Sequence, residues 1–176
     1  MPKKLSLAEQ RRRAMRIKLV LTDSDGVLTD TGVYYSERGE ELKRFSIRDG
    51  MGVERLRKLA RIETAIITGE NSGSVRKRAE KLRMPFLYLG VKDKRAHLEV
   101  ILRETSLSLE NLAYIGDDMN DLDILQTIGE VSLTAAPSDA MPAIQAVAHY
   151  ICKARGGYGA FRDFAEHILQ LRGITS

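Results

Sequence analysis

The chain has 176 residues, 43% of them hydrophobic and 30% charged, a size and balance that suit one globular domain with a single substantial core. Its formal charge of +4 comes from the first 17 residues, where six Lys and Arg face one Glu, so residues 1–16 read as a basic arm and 17–172 as a near-neutral domain with no charge signature of a nucleic-acid binder. One cysteine, Cys152, excludes an internal disulfide and reads as a small core residue, and no run is apolar enough for a signal peptide or a bilayer span, so the expectation is a cytoplasmic protein with no membrane partner.

Along the chain, short apolar runs alternate with helical patterns. Residues 17–22, Ile-Lys-Leu-Val-Leu-Thr, are apolar or β-branched but for Lys18 and read as a strand buried on both faces. Residues 62–68, 86–89, 112–115 and 131–133 are four further runs, with 148–151 as a sixth. Between them, 52–60, 74–82, 94–103 and 121–127 carry helical periodicity. This order predicts a Rossmann-like, doubly wound parallel α/β sheet with helices on both faces. One piece breaks the alternation: residues 32–47 read as a β-hairpin turning around Glu37-Arg38-Gly39-Glu40. A lone hairpin is marginal in water, so this one is expected to pack on another subunit.

In such a sheet the chemistry gathers at the carboxyl ends of the strands. The first end carries Asp23-Ser24-Asp25-Gly26, and the second carries Thr68, Gly69 and Glu70. Lys92 and Lys94 follow the third, and Asp117, Asp118, Asn120 and Asp121 the fourth. Asp-Gly pairs are ordinary turn residues, and D-x-D-G alone decides nothing. Two carboxylate groups of ends need a hard cation to coexist, however, and magnesium takes oxygen ligands of this kind. Thr68 and Lys94 are donors suited to phosphoryl oxygens. An EF-hand loop is excluded, since Gly26 stands fourth from Asp23 and Tyr34 twelfth. A phosphorelay receiver needs its acceptor after the third strand, where this chain has Leu89-Gly90.

The ordered set "DSDGVLTD", "IITGE", "KDK" and "GDDMND" resembles the haloacid dehalogenase superfamily of aspartate-nucleophile phosphatases. Thr68 lies 43 residues after Asp25 and Lys94 lies 26 after Thr68, which leaves no room for a cap domain. The chain therefore resembles the capless branch acting on phosphorylated 3-deoxy-2-keto sugar acids, either octulosonate 8-phosphate or the nononate and N-acetylneuraminate 9-phosphates. The likeness runs from about Arg16 to Leu171 and includes "RGGYGAFRDF". It implies Asp23 as nucleophile, Asp25 as proton shuttle and Thr68 and Lys94 as phosphate donors. It further implies Mg2+ on Asp23, the Asp25 carbonyl and Asp117, with Asp118 and Asp121 behind them and Asp121 orienting Lys94, in a homotetramer. Ser24 stands where the family has an apolar residue, a change expected to be tolerated. Another capless phosphatase, acting on a different ester or a phosphoprotein, is the alternative.

Two further expectations concern specificity. At about 100° per residue, Arg78 and Lys81 fall about 80° and 20° from Glu70, so all three can share one face of the helix after Thr68. An acid and two bases on one face suit a polyhydroxy carboxylate, with Gly69 beside them. This set also resembles the nononate side of the family, which inclines the reading to a nine-carbon substrate. Gly156, Gly157 and Gly159 are expected to let the backbone approach the site mouth, with Arg155 or Arg162 as anion contacts.

Overall fold

The computed structural model describes residues 5–174. In chain order the elements are α1 (Leu7–Arg16), β1 (Leu19–Thr22), β2 (Thr29–Ser36), β3 (Gly39–Phe45), α2 (Ile47–Arg55), β4 (Glu63–Ile67), α3 (Gly73–Lys81), β5 (Phe86–Tyr88), α4 (Leu98–Thr105), β6 (Leu112–Ile115), α5 (Leu122–Gly129), β7 (Thr134–Ala136), α6 (Pro142–Val147), β8 (Tyr150–Ile151) and α7 (Ala160–Leu171). Strands β5-β4-β1-β6-β7-β8 form one sheet in that order, every pairing parallel. β1 is central and buried at all four positions, which is why its sequence, Leu-Val-Leu-Thr, is apolar or β-branched rather than alternating.

Period-two alternation then divides the core. Val20, Ile66, Ala113 and Ile115 pack with Ala14, Val53, Val75, Phe161 and Phe164 on one face, under α1, α2, α3 and α7. Leu19, Leu21, Ile67 and Leu112 pack with Ile101, Ile124, Ile128 and Ile144 on the other, under α4, α5 and α6. The doubly wound sheet and the lack of a cap insertion are as the sequence predicts. No described helix is long and apolar enough to cross a membrane.

Four local expectations change. The strand expected at 131–133 starts later, at Thr134, because Val131 and Ser132 donate to the Ile128 carbonyl and end α5. The carbonyls of Val131 and Ser132 are meanwhile taken by Arg16 and Arg13. The helix expected from Lys94 begins at Leu98, because Asp93 caps the turn before it, accepting from Ala96 N–H at 2.8 Å. The hairpin spans Thr29–Phe45 rather than 32–47, since the Ser46 hydroxyl caps α2 by accepting from Arg48 N–H. The described part of the basic arm is helix α1, laid on the domain: Ala14 is buried, Arg13 donates to the Gly129 and Ser132 carbonyls, and Arg16 pairs with Glu110 at 2.9 Å. Lys3 and Lys4 lie outside the described residues.

Candidate active site

Asp23 is one residue beyond β1, yet its N–H still donates to the Ile115 carbonyl at 3.0 Å, so the sheet ladder fixes its backbone. The side chain is almost fully buried. One oxygen accepts from Ser24 N–H at 2.6 Å and the other from Lys94 Nζ at 2.9 Å. Thr68 is anchored likewise, donating to the Tyr88 carbonyl while its own carbonyl accepts from Val91. Its hydroxyl accepts from Glu70 N–H at 3.3 Å.

Lys94 reaches in from the turn before α4 and is as buried as Asp23. Its second partner is Asp121, at 2.5 Å. Asp121 holds four donors: Lys94 and the Tyr114 hydroxyl on one oxygen, the N–H groups of Asp117 and Asp118 on the other. A carboxylate has about four lone-pair sites, so Asp121 is fully subscribed. It shapes the loop after β6 and fixes the ammonium. Asp118 caps the following turn through Met119 N–H and lines the cleft.

Carboxylate oxygens of Asp23, Asp117 and Asp121 lie within 4.8 Å of one another. With Asp121 committed, Asp23 and Asp117 are the two free to ligate a cation. Asp117 Oδ1 is buried without a hydrogen-bond partner, a costly state that a bound cation would relieve. Burial, reinforced by Asp121 and opposed by Lys94, raises the Asp23 pKa to about 7. Burial and the neighbouring carboxylates raise Asp117 to about 8. Burial also raises Tyr114, with Asp121 adding to it, so the phenol stays protonated and donating. The donor set is hard oxygen and negative, which fits Mg2+. Gly26, at φ +84°, lets the two loops meet, since a Cβ there would collide with the Asp117 carboxylate.

Asp25 stands at the rim. Its two oxygens accept from the Thr29 hydroxyl at 3.0 Å and from Lys43 Nζ at 2.6 Å. A cleft of about 480 Å3 opens between these groups, lined by Asp23, Asp25, Thr31, Thr68, Gly69, Glu70, Asp117, Asp118 and Asn120.

The structure thus brings together Asp23, Asp25, Thr68, Gly69, Glu70, Lys94, Asp117, Asp118 and Asp121. It does not bring Arg78 and Lys81 into this cleft. α3 begins at Gly73 behind the Ser72 cap, so Glu70 is outside the helix and the shared face does not form. Glu70 faces Lys92 instead, at 3.4 Å. Arg78 donates to the Ser46 carbonyl and lies over the Phe45 ring, and Lys81 is exposed. Gly156 does press on the Gly26 carbonyl. Arg155 stacks on Tyr158 and Arg162 is spent on Glu166, so neither lines the cleft. Lys43, Tyr114 and Thr31 escaped the sequence reading. Lys43 and Tyr114 sit inside β-runs that read as packing. The signal for Thr31 is its left-handed backbone, φ 66°, a strained state for a β-branched residue that clusters at functional sites.

Residues 62–157 match the haloacid dehalogenase-like hydrolase family. The 3-deoxy-D-manno-octulosonate 8-phosphate phosphatase of Yersinia pestis is 38% identical over 93% of this chain and 88% of its own length. The Escherichia coli protein described in the same words is 36% identical over 94% and 86%. Among solved structures, the Moraxella catarrhalis 3-deoxy-D-manno-octulosonate 8-phosphate phosphatase, in complex with a magnesium ion, a phosphate ion and a KDO molecule, superposes with a TM-score of 0.86 at 34% identity, covering 96% of this chain and 94% of that one. The cobalt-bound deoxy-D-mannose-octulosonate 8-phosphate phosphatase of Haemophilus influenzae gives 0.86 at 34% over 92% of each. Sheet order, acidic centre and relatives agree: the chain belongs to the haloacid dehalogenase-like hydrolases and is a phosphatase of the capless sugar-acid branch.

Proposed function

We propose that this phosphatase hydrolyses 3-deoxy-D-manno-octulosonate 8-phosphate, using Mg2+ and a covalent phosphate on Asp23. The observation that carries the reading is the buried Asp23–Lys94–Asp121 array facing an orphaned Asp117 oxygen, in a chain whose curated relatives act on that ester. Asp23 attacks phosphorus in line, forming an O–P bond as the bond to the sugar oxygen breaks. Asp25 gives that oxygen its proton. It then takes one from the water that splits the aspartyl-phosphate and releases inorganic phosphate. Lys94 and Thr68 donate to the phosphoryl oxygens as charge develops there. Asp23, the Asp25 carbonyl and Asp117 would hold Mg2+, which offsets the charge of phosphate beside carboxylates.

A nine-carbon substrate is the second reading, favoured by Glu70 on the cleft wall. The face of Glu70, Arg78 and Lys81 that inclined the sequence reading that way is absent within one chain, and the eight-carbon ester takes precedence. Phosphate release from the 8- and 9-phosphates, with Mg2+ and with EDTA, tests both. A kcat/KM at least tenfold higher for the octulosonate is expected, and a tenfold preference for a nononate would reverse the assignment. The same reading includes a homotetramer in contact through the hairpin, supported by the exposed side chains of Tyr34, Tyr35, Leu42 and Ile47, and a cytoplasmic setting suited to a free buried thiol.

A further inference from the structure

Lys43 comes from β3, where no residue is fully buried, yet its own side chain is only 1% exposed. An ammonium buried this far is costly unless carboxylates compensate it. Two do: Asp25 at 2.6 Å and Glu40 at 3.4 Å. Glu40 in turn accepts from the Ser72 hydroxyl at 2.5 Å. Ser72 is the cap of α3, its hydroxyl accepting from Val75 N–H, and only Asn71 separates it from the Thr68-Gly69-Glu70 loop. One chain of ion pairs and hydrogen bonds therefore runs from the Asp25 carboxylate through the hairpin to the loop that bears the phosphate donor. Such a network holds its members more firmly than isolated pairs.

Lys43 does not line the cleft, so its charge is directed at Asp25 rather than at a bound phosphate. Together with the Thr29 hydroxyl it takes one lone pair on each Asp25 oxygen. That fixes the orientation of the carboxylate and leaves the remaining lone pairs for a proton in transit. We propose that Lys43 is the positioning residue for Asp25, so that the hairpin, through the Lys43–Glu40–Ser72 chain, sets the proton-transfer geometry of its own subunit. The proposal rests on the reading of Asp25 as the group that moves the proton.

The test separates proton transfer from binding. An alkyl sugar phosphate needs its leaving oxygen protonated, whereas p-nitrophenolate departs without a proton. Lys43→Met is expected to lower kcat on 3-deoxy-D-manno-octulosonate 8-phosphate by about 100-fold, the low end of general acid–base contributions, with KM within about threefold. On p-nitrophenyl phosphate the same variant should release a burst of about one p-nitrophenolate per site and then turn over slowly, because water attack on the aspartyl-phosphate still needs Asp25. Lys43→Arg should restore most of kcat. Should Lys43→Met melt below the assay temperature, Glu40→Gln carries the test, with about a tenfold loss in kcat and the same burst. A raised KM with kcat kept would make Lys43 a binding residue and overturn the proposal. So would a burst lost in step with turnover, or wild-type kinetics in the variants. Wild-type release from the sugar phosphate, measured in the same series, reports on the substrate assignment separately, and full turnover by Asp25→Asn would sink the role of Asp25 itself.

Discussion

Lys94 and Lys43 are both ammonium groups with side chains 1% exposed, and each stands between two carboxylates. They differ in what holds the carboxylates. Around Lys94, Asp23 is tied to the sheet ladder and Asp121 to four donors, and both are buried. Around Lys43, Asp25 and Glu40 remain about a quarter exposed, and their supports are hydroxyls and a hairpin whose apolar side chains face outward. The first arrangement makes charge stabilisation part of the fold core. On the proposed mechanism, the second makes proton transfer depend on an element that the core holds only at its edge. The same motif at two depths gives the site a deep half and a shallow half.

Breaking the deep pair should have the largest effect. Lys94→Met leaves Asp121 and Asp23 facing each other without a cation, and loss of one partner from a buried pair costs about 3–5 kcal/mol. A marked fall in melting temperature and a loss of kcat of about a thousandfold are expected, the latter on the scale of removing one preorganised donor. Calorimetry and phosphate release check the two parts. Unchanged stability would mean that the pair is not integral to the core.

The deep half should also be the pH-sensitive half when metal is stripped. Asp23 and Asp117 hold their protons up to about 7 and 8 in the folded, metal-free chain, whereas unfolded carboxyls lose theirs near about pH 4. Both carboxyls bind more protons in the folded state across that window. Buried His149, pushed down to about 4, binds fewer and opposes them below about 6.5. The net fall in stability is therefore expected as pH rises from about 6.5 to 8 and is not regained above it. Melting temperatures in EDTA should drop over this range. Mg2+ should flatten the drop by stabilising the charged carboxylates. A rise in stability with pH over the same range in EDTA would contradict the electrostatics.

The shallow half should respond in assembly before it responds in fold. Leu42→Glu places a charge on an exposed apolar position of the hairpin. It is expected to shift the oligomer toward monomer in light scattering while leaving the melting of the isolated subunit within about 0.5 kcal/mol, as for ordinary surface changes. The smallest effect is expected behind Asp23. Ser24 is fully buried and its hydroxyl has no hydrogen-bond partner. Ser24→Val removes an unsatisfied polar group and should hold or raise stability by about 1 kcal/mol; a clear loss would show that the pocket has no room for it.

The two halves were unequally legible in the sequence. The sheet was readable because β1 and β6 are apolar or β-branched and buried at every position, and their polar ends stand out as Asp23 and Asp117. Lys94 was readable because a lysine beside a strand end has few structural uses. Strand β7 was harder: Thr134, Ala135 and Ala136 carry little β signal, while Val131 looks like a strand and ends a helix. Lys43 was hidden because β3 reads as an ordinary exposed strand, and only the tertiary fold turns that ammonium onto Asp25. The helix face of Glu70, Arg78 and Lys81 failed on a single boundary: Ser72 starts α3 two residues after Glu70 and frees it from the helical angle. Angular arguments from sequence are only as good as the cap that begins the helix.

The carboxyl ends of β1, β4 and β6 converge on a centre in which, on the proposed mechanism, Asp23 takes the phosphoryl group. The most direct measurement is phosphate release from 3-deoxy-D-manno-octulosonate 8-phosphate by the wild type and Asp23→Asn, both with Mg2+, at matched melting temperatures. Asn is nearly isosteric with Asp and cannot form the aspartyl-phosphate, so turnover by the wild type and none above background by a folded variant is the predicted result. Retention of a tenth of wild-type activity by the variant would contradict it.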